Sequence, residues 1–70
     1  MDYQSYKLRV LAKTNGCNVH TVNGLLGIVY NGEENRDYWL KKDNIQEAKE
    51  SQELVDKATR EIYKMTGVSR

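Results

Sequence analysis

Apolar and polar residues alternate through much of the first 41 residues of the chain, and Asn-Gly pairs interrupt the alternation at a regular interval. The pairs are Asn15-Gly16, Asn23-Gly24 and Asn31-Gly32, spaced eight residues apart. Asn-Gly favours the two-residue type I′ turn of a β-hairpin, because both central residues of that turn need φ > 0. The pattern therefore predicts an antiparallel meander, with strands at about 5–13, 17–22, 25–30 and 36–41.

After residue 43 the apolar residues take the spacing of a helix. Asn44 with Glu47, or Asp43 with Gln46, has the spacing of a capping box, and Gly67 is placed to end the helix. At about 100° per residue, a set of apolar or small residues falls within about a third of the circumference: Ala48, Ser51, Leu54, Val55, Ala58, Ile62 and Met65. The sequence predicts a helix over about 44–66.

Together these elements predict an α+β fold, a four-stranded antiparallel β-meander with one C-terminal α-helix packed on one face, in a single domain of residues 1–70. The sheet face expected under the helix carries Tyr6, Leu8, Val10, Ala12, Cys17, Val19, Thr21, Leu26, Ile28, Tyr30, Tyr38 and Leu40. One length is inconsistent, because the helix would measure about 34 Å and the strands only about 20–26 Å. We therefore expect the helix to overhang the sheet or to pack against a second copy.

The opposite face of the sheet is the expected functional surface. Its apolar residues form a patch with basic residues at the rim, and such patches mark interfaces. Trp39 would lie over Gly27, so one alternative is that the indole only covers this glycine. The residues predicted to bind a partner are Trp39, Leu11, His20, Val22, Leu25, Val29, Arg9, Lys13 and Lys41.

The predicted function is that of a small non-catalytic protein-binding module, an inhibitor or adaptor whose partner is a larger protein or a second copy of itself. The alternative is a nucleic-acid-binding protein, in which Trp39 stacks on a base and basic residues contact phosphates: Lys7, Arg9, Lys13, Arg36, Lys41 and Lys42. A balance of 11 basic against 10 acidic residues counts against this alternative, because it leaves no general basic footprint.

Catalytic and metal-binding motifs are not recognised in the sequence. Cys17 and His20 would point to opposite faces of a strand, and they alone cannot complete a zinc site. Glu33 and Glu34 lie in the turn that precedes the last predicted strand, without the ligand order of a calcium loop. We expect no enzymatic activity, cofactor or small-molecule substrate. A single cysteine and the lack of a long apolar run predict a cytoplasmic protein with no membrane segment.

Overall fold

The computed structural model describes residues 4–69, and within this range the chain forms three α-helices and no strand. α1 spans Ser5–Thr14, α2 spans Val19–Lys41 and α3 spans Ile45–Thr66. α2 and α3 pack as a long antiparallel hairpin and α1 lies against both, in a molecule measuring 42 × 19 × 16 Å. The first three residues and the last one, which complete the predicted domain, lie outside the described residues.

The predicted β-meander is wrong, and with it the α+β assignment. The segments assigned to strands lie in helices or between them: 5–13 in α1, 17–22 across the α1–α2 connection and the first turn of α2, and 25–30 and 36–41 in α2. Val22, Leu26 and Val29 stand at i, i+4 and i+7, the spacing that turns one side of a helix to the core. All three are buried. Short apolar runs fit both a strand and a helix, which is why the alternation was misleading.

Only one of the three Asn-Gly pairs forms a turn. Gly16 has a φ of 74°, and Asn15-Gly16 connects α1 to α2. The other two pairs lie inside α2. Gly32 lacks a side chain for another reason, because a Cβ at this position would lie 2.6 Å from Cγ2 of Val55 on α3. This glycine allows two helices to approach closely, and it does not bend the chain.

The predicted C-terminal helix is confirmed as α3. The side chain of Asn44 accepts a hydrogen bond from the N–H of Glu47 at 3.2 Å, as the capping pattern predicted. Gly67 ends the helix with a φ of 74°, and its N–H donates to the carbonyl of Tyr63 at 2.7 Å. Most of the predicted apolar arc is buried, namely Ala48, Ser51, Val55, Ala58 and Ile62. Leu54, from the same arc, is 58% exposed.

The hydrophobic core lies at the end of the hairpin that α1 covers. It consists of Leu8 and Ala12 from α1, Val22, Leu26 and Val29 from α2, and Val55, Ala58 and Ile62 from α3. Beyond α1 the hairpin is two helices thick, and at its tip the N–H of Asn44 donates to the carbonyl of Trp39 at 2.9 Å. Several residues predicted for the core are instead exposed: Tyr6, Val10, Thr21, Ile28, Tyr30, Tyr38 and Leu40.

Candidate interaction surface

The residues predicted to bind a partner do not share one surface. Val22 and Val29 are completely buried in the core. The others lie on three parts of the molecule: Arg9, Leu11 and Lys13 on α1, His20 and Leu25 in the first half of α2, and Trp39 and Lys41 at its end. The predicted single binding surface is therefore corrected. Residues at alternate positions share one face of a strand, but on a helix they point to several sides.

The basic residues predicted to contact phosphates are likewise divided between two regions. Lys7, Arg9 and Lys13 lie on α1, whereas Arg36, Lys41 and Lys42 lie in or just after the last part of α2. Arg36 is engaged within the protein, because its Nη1 donates to Oε1 of Gln52 at 2.6 Å and its Nη2 lies 3.0 Å from the carboxylate of Asp37. Lys42 stands 5.7 Å from the centre of the Tyr38 ring.

Cys17 and His20 occupy different environments. Cys17 is half-buried in the α1–α2 connection and packs against the core. His20 is exposed in the first turn of α2, and its backbone N–H donates to the side chain of the helix cap Asn18 at 2.8 Å. Among residues 4–69, no group of three His, Cys, Asp or Glu side chains could hold a metal ion. In the same range, no helix has the length and apolar character needed to cross a membrane.

α1 covers one flank of the α2–α3 hairpin. Val19 of α2 and four residues of α1 line a depression of about 280 Å³. Leu26 follows Val19 by seven residues, so it lies on the same flank of α2, and it is 4% exposed. Leu25 is rotated by about 100° from Leu26 and is only half-buried, and Ile28 is 45% exposed. The flank that carries Leu25 and Ile28 is thus left uncovered by α1.

This uncovered flank is apolar on both long helices, and we call it the open face. It is formed by Leu25, Ile28 and Trp39 on α2 and by Leu54 and Met65 on α3. Leu54 and Met65 are eleven residues apart, which returns a helix to nearly the same direction. Ile28 and Leu54 are about half exposed, and the other three are half-buried.

Gly32 forms the floor of the open face near the middle of the hairpin. Gly32 lies seven residues after Leu25 and seven residues before Trp39, so it is on the same flank of α2 as both. Because Gly32 has no side chain, α2 packs close to α3 here. A Cβ built on Gly32 would lie 3.5 Å from the carbonyl oxygen of Ser51. Leu54 is three residues beyond Ser51, on the same side of α3. Ile28 and Leu54 therefore stand on either side of a shallow seam.

The two sides of the open face differ in charge. From Val19 to Gly32, α2 carries no Asp, Glu, Lys or Arg, although 30% of the whole chain is charged. On α3, Glu47 and Glu61 lie seven residues before and after Leu54, so they share its flank. Lys57 also follows Leu54 by three residues, and Lys64 pairs with Glu61 at 3.3 Å. The open face is consequently uncharged along the first half of α2 and carries both signs of charge along α3.

A larger concave surface, of about 920 Å³, lies along the opposite flank of α3. Its polar groups satisfy one another, because Gln52 accepts from Arg36 and donates to Oδ1 of Asp56 at 2.8 Å. Arg60 and Lys64 also line it, so the surface carries both signs of charge. This arrangement resembles a solvated polar groove more than a site for one ligand, since no single sign of charge dominates.

Sequence reasoning placed Trp39 and Leu25 on a binding surface, and both contribute to the open face. It assigned Ile28, Leu54 and Met65 to the core, and so missed Ile28 and Leu54, the two exposed aliphatic residues of this face. The signal that was available is the uncharged stretch from Val19 to Gly32, since interface centres are depleted of charge. In comparisons with known proteins, no family model, no curated protein and no solved structure matches this chain.

Proposed function

We propose that this protein is a small non-catalytic protein-binding module and that the open face is its contact surface. The observation that carries the proposal is the pair of large aliphatic side chains, Ile28 and Leu54, which are 45% and 58% exposed on either side of the Gly32 seam. Exposed apolar clusters with a polar rim are typical of interaction sites. Trp39 extends the face towards the hairpin tip, and Trp is among the residues that most often anchor interfaces.

The way the hairpin presents this face supports binding. Its side chains stand on two capped helices that are held together through Gly32, so little ordering is required when a partner docks. A groove between two helices accepts the side chains of a further helix, as in ridges-into-grooves packing. The partner surface that fits best is therefore helical and apolar.

Capture experiments with two matched variants test the proposal. Leu54→Lys and Glu53→Lys place the same side chain on neighbouring exposed positions of α3, but only the first lies on the open face. We expect the tagged wild-type protein and Glu53→Lys to retain the same protein from a lysate of the source cells, and Leu54→Lys to lose it. The tagged protein is also co-expressed with an untagged copy of this chain. Retention of that copy counts as retention of a protein partner.

Circular dichroism of the three proteins provides the folding control. We expect all three to be folded, because exposed substitutions usually change stability by only about 0.5 kcal/mol. Equal retention by Leu54→Lys and wild type would contradict the proposal, as would retention of no protein by the wild type. If the tagged protein instead retained nucleic acid that is released by salt, the result would favour nucleic-acid binding.

A further inference from the structure

Building on the proposed function, we infer that the occupant of the open face is a second copy of this chain. In this dimer, α2 of each copy packs lengthwise against α3 of the other copy, and the four long helices form a bundle. The two-fold axis runs parallel to the helices. The area of the face, its distribution of charge and the shape of the single chain favour this occupant.

The open face is large enough for a dimer. The 23 residues of α2 span about 34 Å, and two packed helices are roughly 20 Å wide. Each copy can thus contribute roughly 600–700 Å², and the total of about 1,200–1,400 Å² lies within the range of specific interfaces. The radius of gyration is 13.1 Å, against about 11 Å for a compact chain of this length. This elongation leaves one long flank unpaired in the single chain.

The charges on the face favour one of two symmetric arrangements. If α3 packed on α3 of a second copy about Leu54, Glu47 would approach Glu61 of that copy, since each lies seven residues from Leu54. Lys64 pairs with Glu61 at 3.3 Å within its own helix, so this contact between two carboxylates opposes association only weakly. If α2 packs on α3 of the second copy, Glu61 meets the uncharged stretch of α2, and Glu47 lies near the last turn of α2. The two-fold axis parallel to the helices produces this second arrangement.

The same arrangement places suitable side chains together at both levels of the hairpin. At mid-height, Ile28 of one copy meets the Leu54 side of the other, above the shallow seam at Gly32. At the tip, Trp39 is level with the start of α3, because the N–H of Asn44 bonds its carbonyl. The ammonium of Lys42 folds back to 5.7 Å from the centre of the Tyr38 ring, which brings it towards the level of Glu47 of the second copy, where opposite charges attract.

Sedimentation equilibrium of the purified full-length chain, from low micromolar to submillimolar concentration, tests the dimer. We expect a reversible monomer–dimer equilibrium, in which Leu54→Lys raises the dissociation constant roughly tenfold or more. Glu53→Lys is expected to leave the constant unchanged within about twofold, since a rim charge outside the contact has little effect.

Thiol cross-linking tests the arrangement. In a Cys17→Ser background, chains with Ile28→Cys are mixed with chains of different mass carrying Leu54→Cys, and a short bis-maleimide is added. We expect cross-links between the two kinds of chain and little cross-linking of Leu54→Cys with itself. Dominant self-linking of Leu54→Cys would overturn the arrangement and place α3 on α3.

The outcomes separate this inference from the proposed function. A chain that stays monomeric while still capturing another protein through Leu54 overturns the second copy as partner and leaves the open face as a binding surface. If the chain is monomeric and Leu54→Lys does not reduce the capture of any protein, both the dimer and the proposed function are overturned. A dimer that Leu54→Lys does not weaken uses another surface, and this also overturns the inference.

Discussion

At the scale of single residues, Gly32 is the position where a small change has the clearest expected effect. In Gly32→Ala the new Cβ would lie 2.6 Å from Cγ2 of Val55, so α2 and α3 must move apart or Val55 must shift. Overpacking of this kind costs about 1–3 kcal/mol, which exceeds the gain in helix propensity of about 1 kcal/mol. We expect a lower free energy of unfolding, measured by urea denaturation followed by circular dichroism.

Two other glycines of the same helix supply the control. A Cβ at Gly24 or Gly27 would have no atom within 4 Å apart from its chain neighbours and the local backbone of α2, so Gly24→Ala and Gly27→Ala should each stabilise the protein by up to about 1 kcal/mol. Gly27, which was expected beneath Trp39, thus has no packing role in the described residues. If Gly32→Ala stabilised the protein as much as these variants, the close contact between the helices would be refuted.

At the scale of elements, the start of α3 depends on one side chain. Asn44→Ala removes the acceptor for the N–H of Glu47, and the loss of such a cap costs about 1 kcal/mol. The expected result is a lower midpoint of thermal unfolding, with Asn44→Asp close to wild type because aspartate caps equally well. Asn35→Ala, at an exposed position inside α2, is the matched control and should not destabilise the protein. An equal loss in both alanine variants would argue against the cap.

The same cap explains why α3 could be predicted from the sequence and α2 could not. In α3, Asn44, Gly67 and the apolar period are local signals that agree with one another. In α2, the sequence offers Asn-Gly pairs, and the reason for Gly32 lies on another helix, at Val55. No local pattern reveals that requirement. The mismatch in predicted lengths was a useful warning, since the actual partner of the 22-residue α3 is a 23-residue helix.

The open face was only partly predictable for a related reason. Trp39 stood out by its residue type, independently of any secondary structure. The helical period of α3 was predicted correctly, and Leu54 lies at the exposed edge of its apolar arc. Ile28 depends instead on the period of the element that carries it. A strand reverses the side of each successive residue, whereas a helix turns it by about 100°, so a wrong period moved Ile28 from the surface to the core.

At the scale of the whole molecule, stability is concentrated at one end of the hairpin. Leu8 is 1% exposed and contributes the largest buried side chain of α1 to a core shared by three helices. Leu8→Ala should cost about 2–5 kcal/mol, a large part of the roughly 3–5 kcal/mol that a core of this size supplies. We expect the urea midpoint to fall strongly or the cooperative transition to disappear, as recorded by circular dichroism.

Leu11→Ala tests whether this effect comes from docking of α1 on the hairpin or from its helicity alone. Leu11 belongs to the same helix and undergoes the same change, but it is 37% exposed, so its truncation should cost about 1 kcal/mol or less. A similar loss in both variants would mean that α1 adds no core of its own. A much larger loss for Leu8→Ala would show that α1 stabilises the hairpin from one flank. The opposite flank then remains free for the contacts of the open face.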